Sequence, residues 1–104
     1  MTGAAAEDRA VIGYIDALSG RRSSALAIAA ELARRSERGD VETAGAIAAI
    51  HAALGDKDNA FRWLNRSLQR RESWVEYLKV EPKFESLHAD PRFANLLARA
   101  GLAR

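Results

Sequence analysis

Three side chains able to carry acyl-transfer chemistry fall close together in the chain: Ser86, His88 and Asp90. A hydroxyl nucleophile, an imidazole base and a carboxylate to orient it form the triad of many hydrolases. A triad, however, is assembled in space from separate elements, and closeness along the chain does not produce one. Asp90 also has a plainer role, because it precedes Pro91. An Asp-Pro pair starts a helix: the carboxylate caps free backbone N–H groups, and proline fills the first helical position, where no donor is needed. Asp90 is therefore read as a cap. His51 lies in a run of alanine and isoleucine and is read as half-buried and hydrogen-bonded to a neighbour rather than as a base.

Other chemistries lack their residues. The chain has no cysteine, which excludes disulfides and thiolate metal sites, and two distant histidines make a poor metal site. Gly39-Asp40 and Gly55-Asp56 do not have the spacing of phosphate-binding loops. No catalytic residue, cofactor or metal is expected, and the chain is expected not to be an enzyme. Trp63, Trp74 and Tyr77 could stack on bases, but helical spacing beside Leu64 and Leu78 makes them core residues. Arg62, Arg66, Arg70 and Arg71 form a stripe able to track phosphates. Asp58 and Glu72 partly neutralise it, and a solvated helix face gives the same pattern.

Composition sets the frame that must hold these residues. At 104 residues the chain fits a single domain, 1–104, with an ordinary balance of 48% hydrophobic and 29% charged residues. Of its 16 basic residues 13 are arginine, yet the formal charge is only +2, which invites a nucleic-acid reading without carrying it. The N-terminal stretch has no basic region followed by an apolar run, and no window reaches eighteen apolar residues. No secretory signal, no membrane span and a cytoplasmic location are expected.

The apolar periodicity is helical throughout, and no strand is expected. A first helix runs from about residue 5 to Leu18 with Ala10, Val11, Tyr14, Ile15 and Leu18 as its inner face. Ser23 or Ser24 caps a second, which faces inward through Ala25, Ile28, Ala29, Leu32 and Ala33. Glu31 is spaced for intrahelical pairs with Arg34 and Arg35, and Gly39 ends this helix. Asp40 caps a third helix, with Glu42 favourably placed against its dipole. Its alanines, isoleucines and glycine should make it the most enclosed. Asp56 caps a fourth, whose Ala60, Phe61, Leu64, Ser67 and Leu68 point one way. Ser73 and Glu76 match a capping box for a short, largely covered helix. Pro82 then breaks the chain, and Asp90-Pro91 opens a last helix facing inward through Phe93, Leu96, Leu97 and Ala100.

A shift of 35 residues lays one segment on another: Ile12-Gly13 on Ile47-Ala48, Ile15 on Ile50, Gly20 on Gly55, Ala25-Leu26 on Ala60-Phe61. Two copies of helix, glycine turn, helix at this period resemble tetratricopeptide repeats. Arg9 and Ala44 stand where that family carries a large aromatic. The tail is similar to the terminal repeat segment of certain bacterial multidomain regulators. That likeness rests on Leu54-Gly55-Asp56, Trp63-Leu64, Val80-x-Pro82 and Asp90-Pro91-Arg92-Phe93.

The resemblance implies an all-α, right-handed superhelix: repeats at about 5–38 and 40–71, and a capping segment at about 73–102 folded onto the fourth helix. It also implies a non-catalytic interaction scaffold belonging to a regulatory or signalling system. In that family the first helix of each repeat lines a concave surface. The matching positions here are Glu7, Ala10, Tyr14, Ala17, Leu18, Glu42, Gly45, Ala49, Ala52 and Ala53. The family's lysine-and-asparagine clamp for terminal carboxylates is absent, so acidic chaperone tails are not the expected partner. A groove of alanines suits an amphipathic helix from a protein or peptide partner, or from a second copy in a homodimer. The alternative is a nucleic-acid accessory protein using the arginine stripe.

Overall fold

The structure, a computed structural model, describes residues 6–39 and 43–102, and of residues 6 and 7 the backbone alone. Asp40, Glu42 and the Glu7 side chain, given roles above, lie outside the described residues. Two turns organise the rest. Gly20 and Gly55 take φ of +85° and +81°, a region that glycine enters without a Cβ penalty. In both turns the next residue's N–H reaches back five residues, Arg21 to the Asp16 carbonyl and Asp56 to that of His51, each at 2.9 Å. The chain thus reverses twice in the same way, one repeat apart.

The reversals join α1 (Ala6–Leu18) to α2 (Arg22–Glu37) and α3 (Ala44–Ala53) to α4 (Lys57–Gln69). Two short 3-10 segments (Ser73–Tyr77 and Pro82–Leu87) and α5 (Pro91–Arg99) follow, and the described residues contain no strand. Both hairpins are antiparallel. Arg9 near the start of α1 pairs with Glu31 in α2 at 3.1 Å, while Asp16 near its end accepts from Ser24. Between the hairpins lies a core of Ala17, Ala25, Ile28, Ala29, Leu32, Ile47 and Ile50. Gly13 makes that contact possible: a Cβ there would stand 2.7 Å from Ile50 Cδ1. Ala25, Ala48 and Ala60 are wholly buried, as small residues at helix crossings should be. α3 is enclosed as expected, with Ala44, Gly45, Ile47–Ala52 all buried.

The second core joins Ala48, Ala52, Phe61 and Leu64 to Leu78, Phe84, Leu87, Phe93 and Leu96 of the tail. The capping segment divides its work, and does not fold onto α4 alone. Pro82–Leu87 lies on α3, and α5 lies on α4. Arg92 ties α5 to the start of α4 by its 2.9 Å bond to Asp58 and its place 4.5 Å over the Phe61 ring. Arg99 ties the other end to Asn65 at 2.6 Å.

Four local expectations are corrected. Val11, Ile15 and Leu18 point outward, because among the described residues α1 packs through its other side, that of Gly13, Asp16 and Ala17. Neither Ser23 nor Ser24 caps α2: Arg21 holds the cap position without a side-chain bond, and Ser24 donates instead to Asp16. Ser73 stands inside the short helix rather than at its cap position, which Glu72 holds one residue earlier. Nor is that 3-10 segment largely covered: none of its residues is buried, Trp74 and Val75 are half-buried, and Tyr77, read as a core residue, is exposed.

Candidate functional site

Thr43, at the cap position of α3, makes no side-chain cap bond to the helix. Four free N–H groups at a helix start attract negative charge. Glu72 supplies it from 27 residues away: Oε2 accepts from Ala44 N at 3.1 Å, and Oε1 from Gly45 N at 3.0 Å. Ser67 Oγ donates to the same carboxylate at 2.6 Å, and Trp74 Nε1 does so at 3.0 Å. Glu72 itself is only 5% exposed. The residue before it, Arg71, takes φ of +55°, a left-handed turn that aims the chain back over α3.

This closure pins Trp74. Its indole N–H also reaches Ser67 Oγ at 2.9 Å, and its ring lies 5.3 Å from that of Phe84. Gly45 is the necessary floor, since a Cβ there would fall 2.3 Å from Trp74 Nε1. Gly45, Ala46, Ala49, Trp74 and Phe84, rimmed by Glu81 and Lys83, enclose a groove of about 180 Å³. Lys83 Nζ stands 5.5 Å over the Tyr14 ring, and the Lys83 backbone N–H donates to the Glu81 carboxylate at 3.2 Å.

Of the concave positions read from the sequence, Gly45 and Ala49 line this groove and Tyr14 borders it through Lys83. Ala17 is buried between the hairpins, and Ala52 is buried under the tail. Ala10 and Ala53 are half-buried against the inter-hairpin core, while Leu18 projects from the outer side of α1. Ala46, Trp74, Glu81, Lys83 and Phe84 were not in that set. The signal for them lay in the aromatic residues of the tail, read only as a cap.

The serine, histidine and aspartate of the tail do not assemble. Ser86 and His88 are exposed, and the His88 ring packs 4.5 Å from that of Phe93. Asp90 accepts from the Arg92 backbone N–H at 2.9 Å and from its guanidinium, which hold its carboxyl down to about 2. His51 is buried rather than half-buried. Its Nδ1 lies 3.7 Å from Asp56 Oδ2, beyond hydrogen-bonding reach, and has no other partner among the described residues. Burial pushes its pKa down, against the pull of Asp56.

No family model, curated protein or solved structure matches this chain. On α4, Arg62 and Arg66 line a depression of about 260 Å³ with Glu37, Trp63, Asn65 and Gln69. Arg70 and Arg71 lie beyond it. The two carboxylates expected to neutralise the stripe are engaged elsewhere, Asp58 with Arg92 and Glu72 with α3.

Proposed function

We propose that this chain is a non-catalytic, tetratricopeptide-like interaction module that receives a protein or peptide segment in the groove over α3. The readiness of that groove carries the proposal. Its floor is small side chains, and its aromatic walls are held by hydrogen bonds and ring contact, so little must be ordered on binding. About 180 Å³ is below the roughly 300–1,000 Å³ of small-molecule pockets and suits one apolar side chain of a bound segment. Lys83 at the rim favours an acidic residue beside it. The equivalent turns at Gly20 and Gly55 and the matched burial of Ala25 and Ala60 support the likeness to tandem helical repeats. The resemblance of the tail supports a place in a bacterial regulatory system.

Selection of random displayed peptides on the protein tests this. Enriched sequences are expected to pair an apolar with an acidic residue, to lose binding when Ala46→Trp fills the groove, and to weaken with Lys83→Glu. Peptides indifferent to both substitutions, or no enrichment, would overturn the reading.

A second reading has its own support. With Asp58 and Glu72 occupied, Glu37 is the acidic residue facing Arg62 and Arg66 in their depression, so the stripe can meet phosphates. It requires low-salt binding of labelled RNA or DNA that falls steeply with salt and is lost in Arg62→Glu/Arg66→Glu. Absence of a shift at low salt ends it.

A further inference from the structure

The repeat leaves one pair of positions unequal. Ile47 and Ile50 are wholly buried against the first hairpin, while their equivalents Ile12 and Ile15 are 42% and 49% exposed. Val11 and Leu18 extend this surface at 56% and 62% exposure. Val11, Ile15 and Leu18 follow one another at intervals of four and three, the spacing of a helix–helix seam. Apolar side chains that a neighbouring hairpin covers in the second repeat thus lie open in the first.

We infer that this face of α1 docks, antiparallel, on α1 of a second copy of the chain. Two observations select that occupant. The opposite end of the stack is closed by α5, with Phe93 and Leu96 buried. Elsewhere in the described residues the exposed large apolar side chains are Leu26, Tyr77 and Val80, which form no helical stripe to match this face, and a symmetric pair is the arrangement that covers it. The charges are self-complementary as well. Asp8 is exposed near the start of α1, and Arg21 stands past its end, at the cap position of α2, bound to Asp16 through Nε at 2.8 Å with its side chain 59% exposed. An antiparallel register that sets Val11 on Leu18 of the second copy brings the two Ile15 side chains together near the axis. It also sets Asp8 beside Arg21 of the second copy, twice over.

At these exposures the four residues present roughly 350 Å² per chain, within the range of the largest apolar patch on a monomer, which is often a contact site. Two copies join roughly 700 Å², which with polar edges approaches the ~1,000 Å² of the smallest specific interfaces. The pair is accordingly reversible and forms at high micromolar concentration. Tyr14 lies between this face and the groove, but no residue lining the groove belongs to the face, so the inference does not depend on what the groove binds.

Sedimentation equilibrium on the whole chain, with cross-linking, tests it. A reversible monomer–dimer equilibrium is expected at high micromolar concentration, weakened more than about tenfold by Ile15→Glu, which buries two like charges, and about threefold to tenfold by Asp8→Arg. Circular dichroism of both variants should match the native chain, since both positions are solvent-facing. The absence of cysteine permits a second arm. A mixture of Val11→Cys and Leu18→Cys chains should oxidise to a mixed disulfide dimer, and Val11→Cys alone should not. A strict monomer, a dimer indifferent to Ile15→Glu, or Val11→Cys linking to itself as readily as in the mixture would each overturn the inference.

Discussion

A buried carboxylate stabilises a fold only while its donors stay in reach. Glu72 meets two backbone N–H groups, a serine hydroxyl and an indole N–H, and Glu72→Ala leaves all four without that acceptor. Urea unfolding of Glu72→Ala should show a loss of about 3 kcal/mol or more, with Glu72→Gln losing less because one acceptor oxygen remains. His51 supplies a pH dependence. Burial lowers its folded-state pKa, so the unfolded chain takes up a proton more readily. Its contribution is whole above the unfolded value of about 6.5 and declines as pH falls below it. The urea midpoint should be lower at about pH 5.5 than at about pH 7.5, and His51→Leu should flatten the difference. Of these two residues the sequence announced His51 as structural but gave no sign of Glu72. A cap supplied from 27 residues away obeys no local spacing, and by sequence Glu72 falls beside the arginine stripe instead.

At the scale of the element, α3 and the tail depend on close approach. Gly45→Ala drives a methyl into the Trp74 indole, and overpacking against a pinned ring should destabilise by about 1–3 kcal/mol. Indole fluorescence, followed in a Trp63→Phe background, should shift as Trp74 is displaced. Gly13→Ala drives its methyl against Ile50 Cδ1 at 2.7 Å and the stiff β-branched Ile28 Cγ2 at 2.9 Å, and should also destabilise by about 1–3 kcal/mol. Phe93 is 3% exposed in the tail's core, so Phe93→Ala should lose about 3–5 kcal/mol in urea unfolding. Asp90 was legible as a cap because its partner lies two residues on. With its carboxyl held near 2, its contribution is present above the unfolded carboxyl value of about 3.9 and is lost as pH falls toward 2. Asp90→Asn should remove part of the acid sensitivity. The face of α1 was misread for the reverse reason. Ala10, Tyr14 and Gly13 already satisfy its contacts, so the larger Val11, Ile15 and Leu18 are surplus to the interior, and periodicity alone ranks large residues first.

Across the whole molecule, two hairpins and a tail close around α3, the segment the sequence marked by its small residues. The five α-helices, the turns and most of the core follow from spacing; the 3-10 segment at Pro82–Leu87 does not, because proline there reads as a break. The groove does not, since it arises where the tail crosses α3 rather than α4, through the turn at Arg71 and the reach of Glu72. No described helix is long and apolar enough to cross a membrane. The most direct measurement of the proposed binding mode is a ¹H–¹⁵N NMR titration with a peptide enriched by selection. The Trp74 indole and the backbone amides of Gly45, Ala46, Ala49 and Lys83 should shift together and saturably. Shifts confined to Arg62, Arg66 and the rest of α4, with the Trp74 indole unmoved, would contradict it.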